Sequence, residues 1–390
     1  MRSFLQDHFD LEALSLRMRA GHFVGERTAF REHRIRNQPL IFDRPLGLSR
    51  DAIIDGYIEL FRAAMAALPP EVVLLSGGRD SRHIFLELVT SGRKPRLAIS
   101  VDLPANNDAE IAARLCERAG VQHVVLRPHG RLADWERRKN ELTAFSAIEH
   151  AWMVPLREHI AQMTVYDGIA GDVLSAGLLQ SRELVERFVN EPDRYAAGFL
   201  SANAVDRVLP GLFDPAAAHA LLRAEMDRHR DAVNPLASFL FWNRTMRYIA
   251  VAPVGARRVL TPYMDPALFE FLSRIPPEFT WDHQLHHDAI ARAYPQWADI
   301  PYAEKRPYRN TAGLRAFGRD ALRSTSWRSP RLALQLAILA ATGSDRYLWA
   351  AQLALYLEQL VNANPRDCMF DPRFVTGDHV RRAADRVQPA

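Results

Sequence analysis

The sequence predicts an α/β protein, with a parallel sheet that has helices on both faces and a mainly helical C-terminal part. Three observations lead to this prediction. Short apolar runs rich in β-branched residues alternate with segments of helical periodicity in the first half of the chain. The first clear run ends directly in a glycine-containing turn that leads into a helix. After Val173 the strand signals fade, and apolar residues recur at helical spacing.

The individual elements follow from these patterns. Residues 52–68 are amphipathic and predict a helix, which Pro69 and Pro70 end. Four compact apolar runs predict buried parallel strands, because crossover helices would cover both faces of the sheet. The predicted strands are residues 71–75, 96–101, 123–127 and 164–168. The predicted helices are residues 82–90, 108–119, several segments up to Gln162, and then 216–230, 235–249, 266–274, 331–341 and 347–361.

The chain is predicted to have three segments. Residues 1–50 form an N-terminal preamble, residues 51–310 form the main domain, and residues 311–390 form a helical C-terminal extension. Within the main domain the character changes from α/β to helical near Gly177. Residues 387–390 are expected to fray.

Composition excludes several classes of protein. A chain of 390 residues with 48% hydrophobic and 25% charged residues is neither disordered nor a coiled coil. A net charge of +4 and the lack of a basic run interleaved with aromatics argue against a nucleic-acid partner. Cys116 and Cys368 lie far apart and form no CxxC pair, which argues against a cysteine zinc site and suits a reducing cytoplasm. Neither a signal peptide nor a long apolar run is present, so we expect a cytoplasmic protein without a membrane partner.

Arginine dominates the basic residues. Only three of the 50 are lysines, namely Lys94, Lys139 and Lys305. A codon-level preference for arginine explains this, and the alternative is a surface built to grip phosphates. Under the first explanation, a remaining lysine is more informative than any single arginine.

The turn after the first strand has the residues of a phosphate-binding loop. Gly77 and Gly78 allow close approach of an anion, the hydroxyls of Ser76 and Ser81 donate hydrogen bonds, and a helix N-terminus follows. Asp80 would repel phosphate unless a cation intervenes, which points to Mg²⁺. The alternative is a glycine-rich turn with an aspartate N-cap. The position after a parallel strand, where such sheets bind ligands, favours phosphate binding.

Four landmarks in order resemble the asparagine synthetase-like family of N-type ATP pyrophosphatases, whose PP-loop reads Ser-Gly-Gly-Leu-Asp-Ser. The second landmark is a glycine-rich turn with an aspartate before a helix and a later glycine. The third is a Pro-aromatic-x-Asp segment followed by a proline pair. The fourth is a Lys-Arg-Pro-aromatic segment. They correspond to residues 76–81, 167–177 (Asp-Gly-Ile-Ala-Gly-Asp-Val-Leu-Ser-Ala-Gly), 261–277 and 305–308. The match spans about residues 50–310, so the main domain resembles the ATP pyrophosphatase domain of this family.

The resemblance implies an adenine nucleotide alpha hydrolase-like fold and specific roles. Asp80 and Asp172 would converge on one Mg²⁺ held by the ATP phosphates, although Asp172 alone is equally well explained as a helix N-cap. Lys305 would stabilise charge at the reacting α-phosphate, although it could be an ordinary surface lysine. Adenine would lie near Ile99 and Ser100.

The implied reaction is a two-step ligation. ATP adenylates a carboxylate with release of pyrophosphate, and an amine then displaces AMP to give an amide. Gly168 would allow the second loop to approach the nucleotide or the acyl group. The partners would be ATP, a small-molecule or peptide carboxylate, and an amine or ammonia, which a separate chain could deliver.

Several residues depart from the family pattern. Glutamine-dependent members, the type known from asparagine biosynthesis, begin with a nucleophilic cysteine on a glutaminase domain. Here residue two is Arg2 and only 75 residues precede Ser76, so we do not expect glutamine hydrolysis by this chain. Ile169 occupies the place of a residue that helps to deprotonate the amine, and Val173 replaces a glutamate. These departures favour a specialised substrate, and the alternative is a catalytically degenerate nucleotide-binding partner protein.

Arg79 and Arg82 stand in the loop where small or apolar residues are usual in the family. They would either add contacts to phosphates or lie exposed at the surface.

A histidine-rich segment at residues 282–288 suggests two further possibilities. His283 and His287 are four residues apart and would share one helix face, as a metal pair does. A third ligand is not recognisable, so a solvated helix start is the better explanation. By family position, His286 or His287 could instead contact the substrate.

A third class of function is tRNA modification by a related PP-loop enzyme. The lack of a cysteine pair and the match to the later landmarks argue against it.

Overall fold

The computed structural model describes residues 9–32, 34, 39, 44–127, 131–143, 145, 151–175, 177, 180–201, 214–249, 255–324 and 329–362. The frayed end predicted at residues 387–390, and Ala176 of the second landmark, lie outside these residues. Much of the predicted preamble and the last part of the predicted C-terminal extension also lie outside them, and the predicted segment boundaries therefore stay predictions.

A five-stranded parallel sheet lies at the centre of the described chain. In sequence order the strands are β1 (Val72–Leu74), β2 (Leu97–Val101), β3 (His123–Leu126), β4 (Thr164–Tyr166) and β5 (Arg258–Leu260). Their order across the sheet is β3-β2-β1-β4-β5, and every neighbouring pair is parallel. The α/β prediction and the four predicted strands are confirmed. The sequence pattern did not predict β5, whose three residues are too few to give a period.

Helices make up most of the remaining described chain. They are α1 (Leu11–Ala20), α2 (Arg50–Ala66), α3 (Asp80–Thr90), α4 (Asp108–Ala119), α5 (Leu132–Leu142), α6 (Met153–Ile160), α7 (Gly171–Leu174), α8 (Arg182–Asn190), α9 (Pro192–Ser201), α10 (Pro215–Arg228), α11 (Pro235–Leu240), α12 (Pro266–Ser273), α13 (Gln284–Ala293), α14 (Thr311–Ser324), α15 (Pro330–Thr342) and α16 (Leu348–Asn362). The individually predicted helices agree within two residues, except that residues 241–249 continue α11 as a π-helix. None of the described helices has both the length and the apolarity needed to cross a membrane.

Helices cover both faces of the sheet, as the sequence predicts. Successive strand residues point to opposite faces, so Val72 and Val73 belong to two different hydrophobic clusters. Val72 packs with Leu156 and Ile160 of α6, whereas Val73 belongs to the larger cluster that includes residues of α2, α3 and α4. Both faces of the central strand β1 are therefore covered by apolar side chains.

A third hydrophobic cluster joins the two ends of the described chain. Leu14 of α1 belongs to it together with Leu314, Leu336 and Leu353 of the C-terminal helices. Ala133 of α5 lies in the same cluster. Residues from the predicted preamble and the predicted extension therefore share one core.

Candidate functional site

The strand order creates a crevice between β1 and β4. From β1 the chain runs outward to β2 and β3, and it then returns to the other side of β1 to form β4. The loops that follow β1 and β4 therefore lead away from each other at the carboxyl edge of the sheet. This topological switch point is where doubly wound sheets bind ligands.

A cleft of about 260 Å³ lies at this switch point. One part is formed by the loops after β1 and β4, and the other is an apolar part against β2 and α6. The lining residues are Leu74, Leu75, Ser76, Gly78, Arg79, Asp80, Ser81, Ile99, Val101, Leu103, Asp108, Trp152, Leu156, Asp167, Gly168, Ile169 and Asp172. The cleft therefore joins an apolar wall to a charged and hydroxyl-rich end.

The loop after β1 is braced by its own side chains. The Ser81 hydroxyl lies 3.0 Å from both the backbone nitrogen and the hydroxyl of Ser76. The Gly78 N–H donates to the Ser76 hydroxyl at 3.2 Å, and the Gly77 N–H donates to Asp108 Oδ1 at 2.8 Å. The loop is thus preformed, but the Gly77 donor already has an acceptor.

Helix α3 begins at Asp80 and presents its N-terminus to the cleft. The backbone N–H groups of Asp80, Ser81 and Arg82 have no hydrogen-bond acceptor among the described residues. Unpaired donors at the first turn of a helix are suited to an anion. The hydrogen-bond pattern therefore fits the phosphate role that the loop sequence predicts, with the helix start supplying the free N–H donors.

Glycine is required where the second loop meets the first. A Cβ at Gly168 would lie 2.8 Å from the Asp80 Cβ and 3.3 Å from the Ser81 backbone nitrogen. These distances are shorter than side chains tolerate, and the second neighbour is backbone. Gly168 therefore permits the close approach of the two loops.

We expect Gly168→Ala to force the two loops apart by a few tenths of an ångström or more and to weaken anion binding at the cleft about tenfold or more. Isothermal titration with ATP and Mg²⁺ would measure the loss. Gly198→Ala is the control, since no atom lies within 4 Å of a Cβ placed at that position. Unchanged ATP affinity in Gly168→Ala would show that the loop contact does not shape the site.

Three carboxylates come together at the charged end of the cleft. Burial raises the pKa of Asp80 to about 7, the Arg79 guanidinium opposes the rise, and Asp167 adds to it. Burial also raises the pKa of Asp172 to about 7, with a further contribution from the Asp80 carboxylate. The cleft thus holds closely coupled acids whose charges a cation would neutralise.

The predicted metal site needs oxygen atoms from a bound nucleotide in addition to the protein carboxylates. Within the described part of the chain, no group of three or more His, Cys, Asp or Glu side chains is arranged to hold a metal ion. Asp80 Oδ1 is buried and accepts no hydrogen bond, so an acceptor oxygen remains to be satisfied. Mg²⁺ commonly uses one or two carboxylates together with substrate phosphates. Asp80 and Asp172 therefore fit a magnesium ion carried by a nucleotide better than a resident metal.

Behind Asp80 lies a buried polar network that the sequence did not reveal. His286 is fully buried, and its Nδ1 lies 3.1 Å from the Ser175 hydroxyl. The same nitrogen lies 3.2 Å from Asp80 Oδ1, but not in hydrogen-bonding geometry. Its Nε2 lies 3.1 Å from His83 Nδ1, and Tyr263 donates to the Asp80 carbonyl at 3.1 Å. Burial lowers the pKa of His286 to about 3, so the ring is neutral. The network fixes the start of α3 from the core side.

The two loop arginines have different roles. Arg82 is buried and donates to the carbonyls of Ile300 and Pro301 at 2.8 and 2.5 Å. It therefore fastens the segment after α13 to the loop. Arg79 lines the cleft, its guanidinium lies 4.4 Å from the centre of the Tyr302 ring, and its Nε has no hydrogen-bond partner. Arg79 is thus a cation available to a ligand in the cleft.

Most, but not all, of the predicted site residues line the cleft. Ser76, Gly78, Asp80, Ser81, Ile99, Gly168 and Asp172 do so. Gly77 instead packs against Ala303, and buried Ser100 donates to the Leu75 carbonyl at 2.6 Å. Lys305 is exposed and does not belong to the lining, although the neighbouring Ala303 N–H donates to the Gly77 carbonyl at 2.9 Å.

The lining residues that were not predicted as site residues include Asp108, Asp167 and Trp152. Asp108 and Asp167 each follow the carboxyl end of a strand, and this position was the available signal. Trp152 reaches the cleft from the start of α6, and its sequence neighbourhood carries no such signal.

The histidine-rich segment does not form a metal pair in the described structure. His283 has a positive φ of 64° at the start of α13, whereas His287 is exposed with its ring 5.7 Å from that of Tyr302. His286 faces the core and not the solvent.

The fold and the cleft define an α/β protein with a candidate ligand site at the switch point of a parallel sheet. No protein-family model matches the sequence, and no curated protein matches it. The function is therefore inferred from the residues of the cleft.

Proposed function

We propose that the chain is an ATP-dependent, AMP-forming amide ligase of the asparagine synthetase-like type that acts on a specialised carboxylate. One observation carries the proposal. The Ser-Gly-Gly-x-Asp-Ser loop and the aspartate-rich loop after β4 meet at the switch point, with Gly168 in contact with Asp80. This juxtaposition suits a nucleotide triphosphate, and the strand order is compatible with an adenine nucleotide alpha hydrolase-like fold.

The two ends of the cleft suit the two ends of ATP. The apolar wall contains Ile99, Val101 and Leu103 at the end of β2, where a purine ring would be shielded from water. The phosphates would lie at the start of α3, against the free N–H donors and Arg79. Asp80 and Asp172 would hold Mg²⁺, which neutralises charge on the phosphates.

Two cations would act at different stages. Arg79 lines the cleft and would hold the phosphates of bound ATP. Lys305 lies on the segment that is hydrogen-bonded to Gly77, and its long side chain would reach the reacting groups when the segment closes on substrate. In this proposal Lys305 acts in the chemical step and contributes little to ATP affinity.

The amine must lose a proton, and Ile169 cannot accept one. Asp167 is the acid nearest to this position, since its Oδ1 accepts a hydrogen bond from the Ile169 N–H at 3.2 Å. Asp167 also lines the cleft. It would be the group that takes the proton as the amide forms.

The proposal is tested by pyrophosphate and AMP release from Mg-ATP across a panel of carboxylic acids. Hydroxylamine should replace the unidentified amine and trap the acyl-adenylate as a hydroxamate. Asp80→Ala should abolish both signals. The proposal fails if Mg-ATP neither binds nor stabilises the wild-type protein, or if Asp80→Ala leaves that stabilisation unchanged.

We expect Arg79→Met and Lys305→Met to separate binding from chemistry. Arg79→Met should weaken ATP binding about tenfold, because a charged hydrogen bond to phosphate is lost. Lys305→Met should lower the rate of adenylation about 100-fold with the ATP dissociation constant within about twofold. Titration calorimetry and single-turnover assays measure the two effects. A Lys305→Met variant with the full adenylation rate would remove Lys305 from the mechanism.

The second candidate is a degenerate nucleotide-binding partner protein in a biosynthetic pathway. It is favoured by Ile169 in the cleft lining and by the exposed position of Lys305. Such a protein would bind Mg-ATP with the same dependence on Asp80 and Arg79 but would release no pyrophosphate with any acid. Turnover by the purified chain excludes it.

A further inference from the structure

A second, smaller cavity lies far from the strand ends, where three helices meet. It has a volume of about 50 Å³ and lies between α1, α5 and α16. It shares no lining residue with the cleft at the switch point. Trp349 and Gln352 of its lining are partly exposed, which gives small solutes a route from the surface.

The described residues that line this cavity carry two buried cations and one carboxylate. Arg17 and Lys139 are 2% and 1% exposed. Glu136 is fully engaged, because its Oε2 accepts from Lys139 at 2.5 Å and its Oε1 accepts from Gln352 at 2.9 Å. The described lining therefore carries one more positive charge than negative charge.

Arg17 forms no ion pair within the described part of the chain, although the Glu136 carboxylate is close enough to act on its charge. Its guanidinium lies 3.5 Å from the centre of the Tyr356 ring, and Nη1 makes a weak contact of 3.9 Å with Met18 Sδ. Its Nε is buried and has no hydrogen-bond acceptor. Burial lowers the pKa of Arg17, yet an arginine in a protein remains charged. The charge and the free donor both call for an anion.

A free acceptor also belongs to the lining. Gln359 Nε2 donates to the Arg137 carbonyl at 3.1 Å, so Gln359 Oε1 must be the atom that accepts from Asn140 Nδ2 at 2.8 Å. These two hydrogen bonds fix the orientation of the Asn140 amide. Asn140 Oδ1 is consequently an acceptor, and it is buried without a donor.

We propose that this cavity binds a small oxyanion that keeps a hydroxyl hydrogen, the class to which hydrogen phosphate and bicarbonate belong. The oxygens of such an anion accept from Arg17 and neutralise its charge, and its hydroxyl donates to Asn140 Oδ1. Sulfate and acetate offer only acceptors at neutral pH, so they satisfy Arg17 but leave Asn140 unpaired. The bound anion joins helices from the two ends of the described chain.

The test measures the melting temperature of the full chain in sodium phosphate, bicarbonate, sulfate, acetate or chloride at equal ionic strength. Phosphate or bicarbonate should raise it by about 3 °C at about 100 times its dissociation constant, and more than sulfate or acetate does. Arg17→Met should abolish the response, whereas Arg19→Met should retain it. Arg19 is the matched control, since it is equally buried on the same helix and donates to Ser15.

Phosphate could also act at the cleft, so the response must persist in Arg79→Met. Should Arg17→Met not fold, Asn140→Leu serves in its place and should make phosphate no better than sulfate. The proposal is overturned if no oxyanion stabilises the wild type beyond chloride, or if Arg17→Met responds like Arg19→Met. Equal responses to phosphate, bicarbonate, sulfate and acetate would overturn the role of Asn140.

Discussion

Asp80→Asn is expected to stabilise the protein in the absence of nucleotide and to abolish its stabilisation by Mg-ATP. The carboxyl is partly buried beside Asp167 and Asp172, and its Oδ1 is fully buried without a hydrogen bond. An amide removes the charge without changing the shape. The same substitution removes an oxygen ligand that we assign to Mg²⁺.

The size and pH dependence of the gain follow from the pKa. A shift from 3.8 to about 7 sets an upper limit of about 4 kcal/mol. The Asp80 side chain is 25% exposed and its titration is coupled to that of Asp172, so we expect about 2 kcal/mol. Asp80 binds its proton at higher pH in the native state than in the unfolded state. The protonated carboxyl therefore stabilises the native state fully below about pH 4, and this stabilisation is lost as the pH rises through about 7. The advantage of Asp80→Asn should therefore be near zero at pH 4 and largest above pH 7.

Urea denaturation at several pH values, with and without Mg-ATP, measures both effects. Asp299→Asn is the control, since its carboxylate is 68% exposed and pairs with Arg118 at the surface. That variant should leave the stability nearly unchanged and keep the response to Mg-ATP. An Asp80→Asn variant that is less stable than the wild type at pH 8 would contradict the expected cost of the charged carboxylate.

Gly177→Ala is expected to destabilise the protein by more than about 3 kcal/mol or to prevent folding. Gly177 has a φ of +64°, which disfavours any side chain. A Cβ there would also overlap the carbonyl oxygen of Thr280, which is backbone and cannot rotate away. The position therefore combines conformational strain with a steric clash.

Gly92→Ala separates the two causes. Gly92 has a similar φ of +75°, but no atom lies within 4 Å of a Cβ placed there. It should cost only about 1 kcal/mol, the penalty of the left-handed backbone. Chemical denaturation of both variants gives the comparison. Equal losses of stability at Gly92 and Gly177 would mean that the overlap with the Thr280 carbonyl adds nothing to the destabilisation.

Four strands of the sheet were predictable because each is a compact apolar run between segments of helical periodicity. The run at residues 71–75 is apolar throughout after Glu71 and ends in a turn, so its type and position could be read directly. Strand β5 has three residues, one of them exposed Arg258, and only its pairing with β4 makes it a strand. Pairing over such a sequence distance leaves no local pattern.

The candidate site was predictable where a loop carries its own chemistry. The residues at 76–81 point to an anion through their backbone freedom and hydroxyls, and most of them line the cleft. The contact of His286 with Asp80 depends on how α13 packs against α3. The exposed position of Lys305 likewise depends on the path of an irregular segment. Tertiary packing decides both.

The hydrophobic cluster that joins α1 to the C-terminal helices has a consequence for biosynthesis. Arg17 of α1 stacks on Tyr356 of α16, almost the whole described length of the chain away. During translation α1 emerges before α16, so the apolar residues that it shares with the C-terminal helices stay partly uncovered until α16 leaves the ribosome. All residues of the sheet and of the cleft precede α16 in the sequence, so they are synthesised before that moment. For that interval the nascent chain presents an uncovered apolar patch, which exposes it to chaperones and to aggregation.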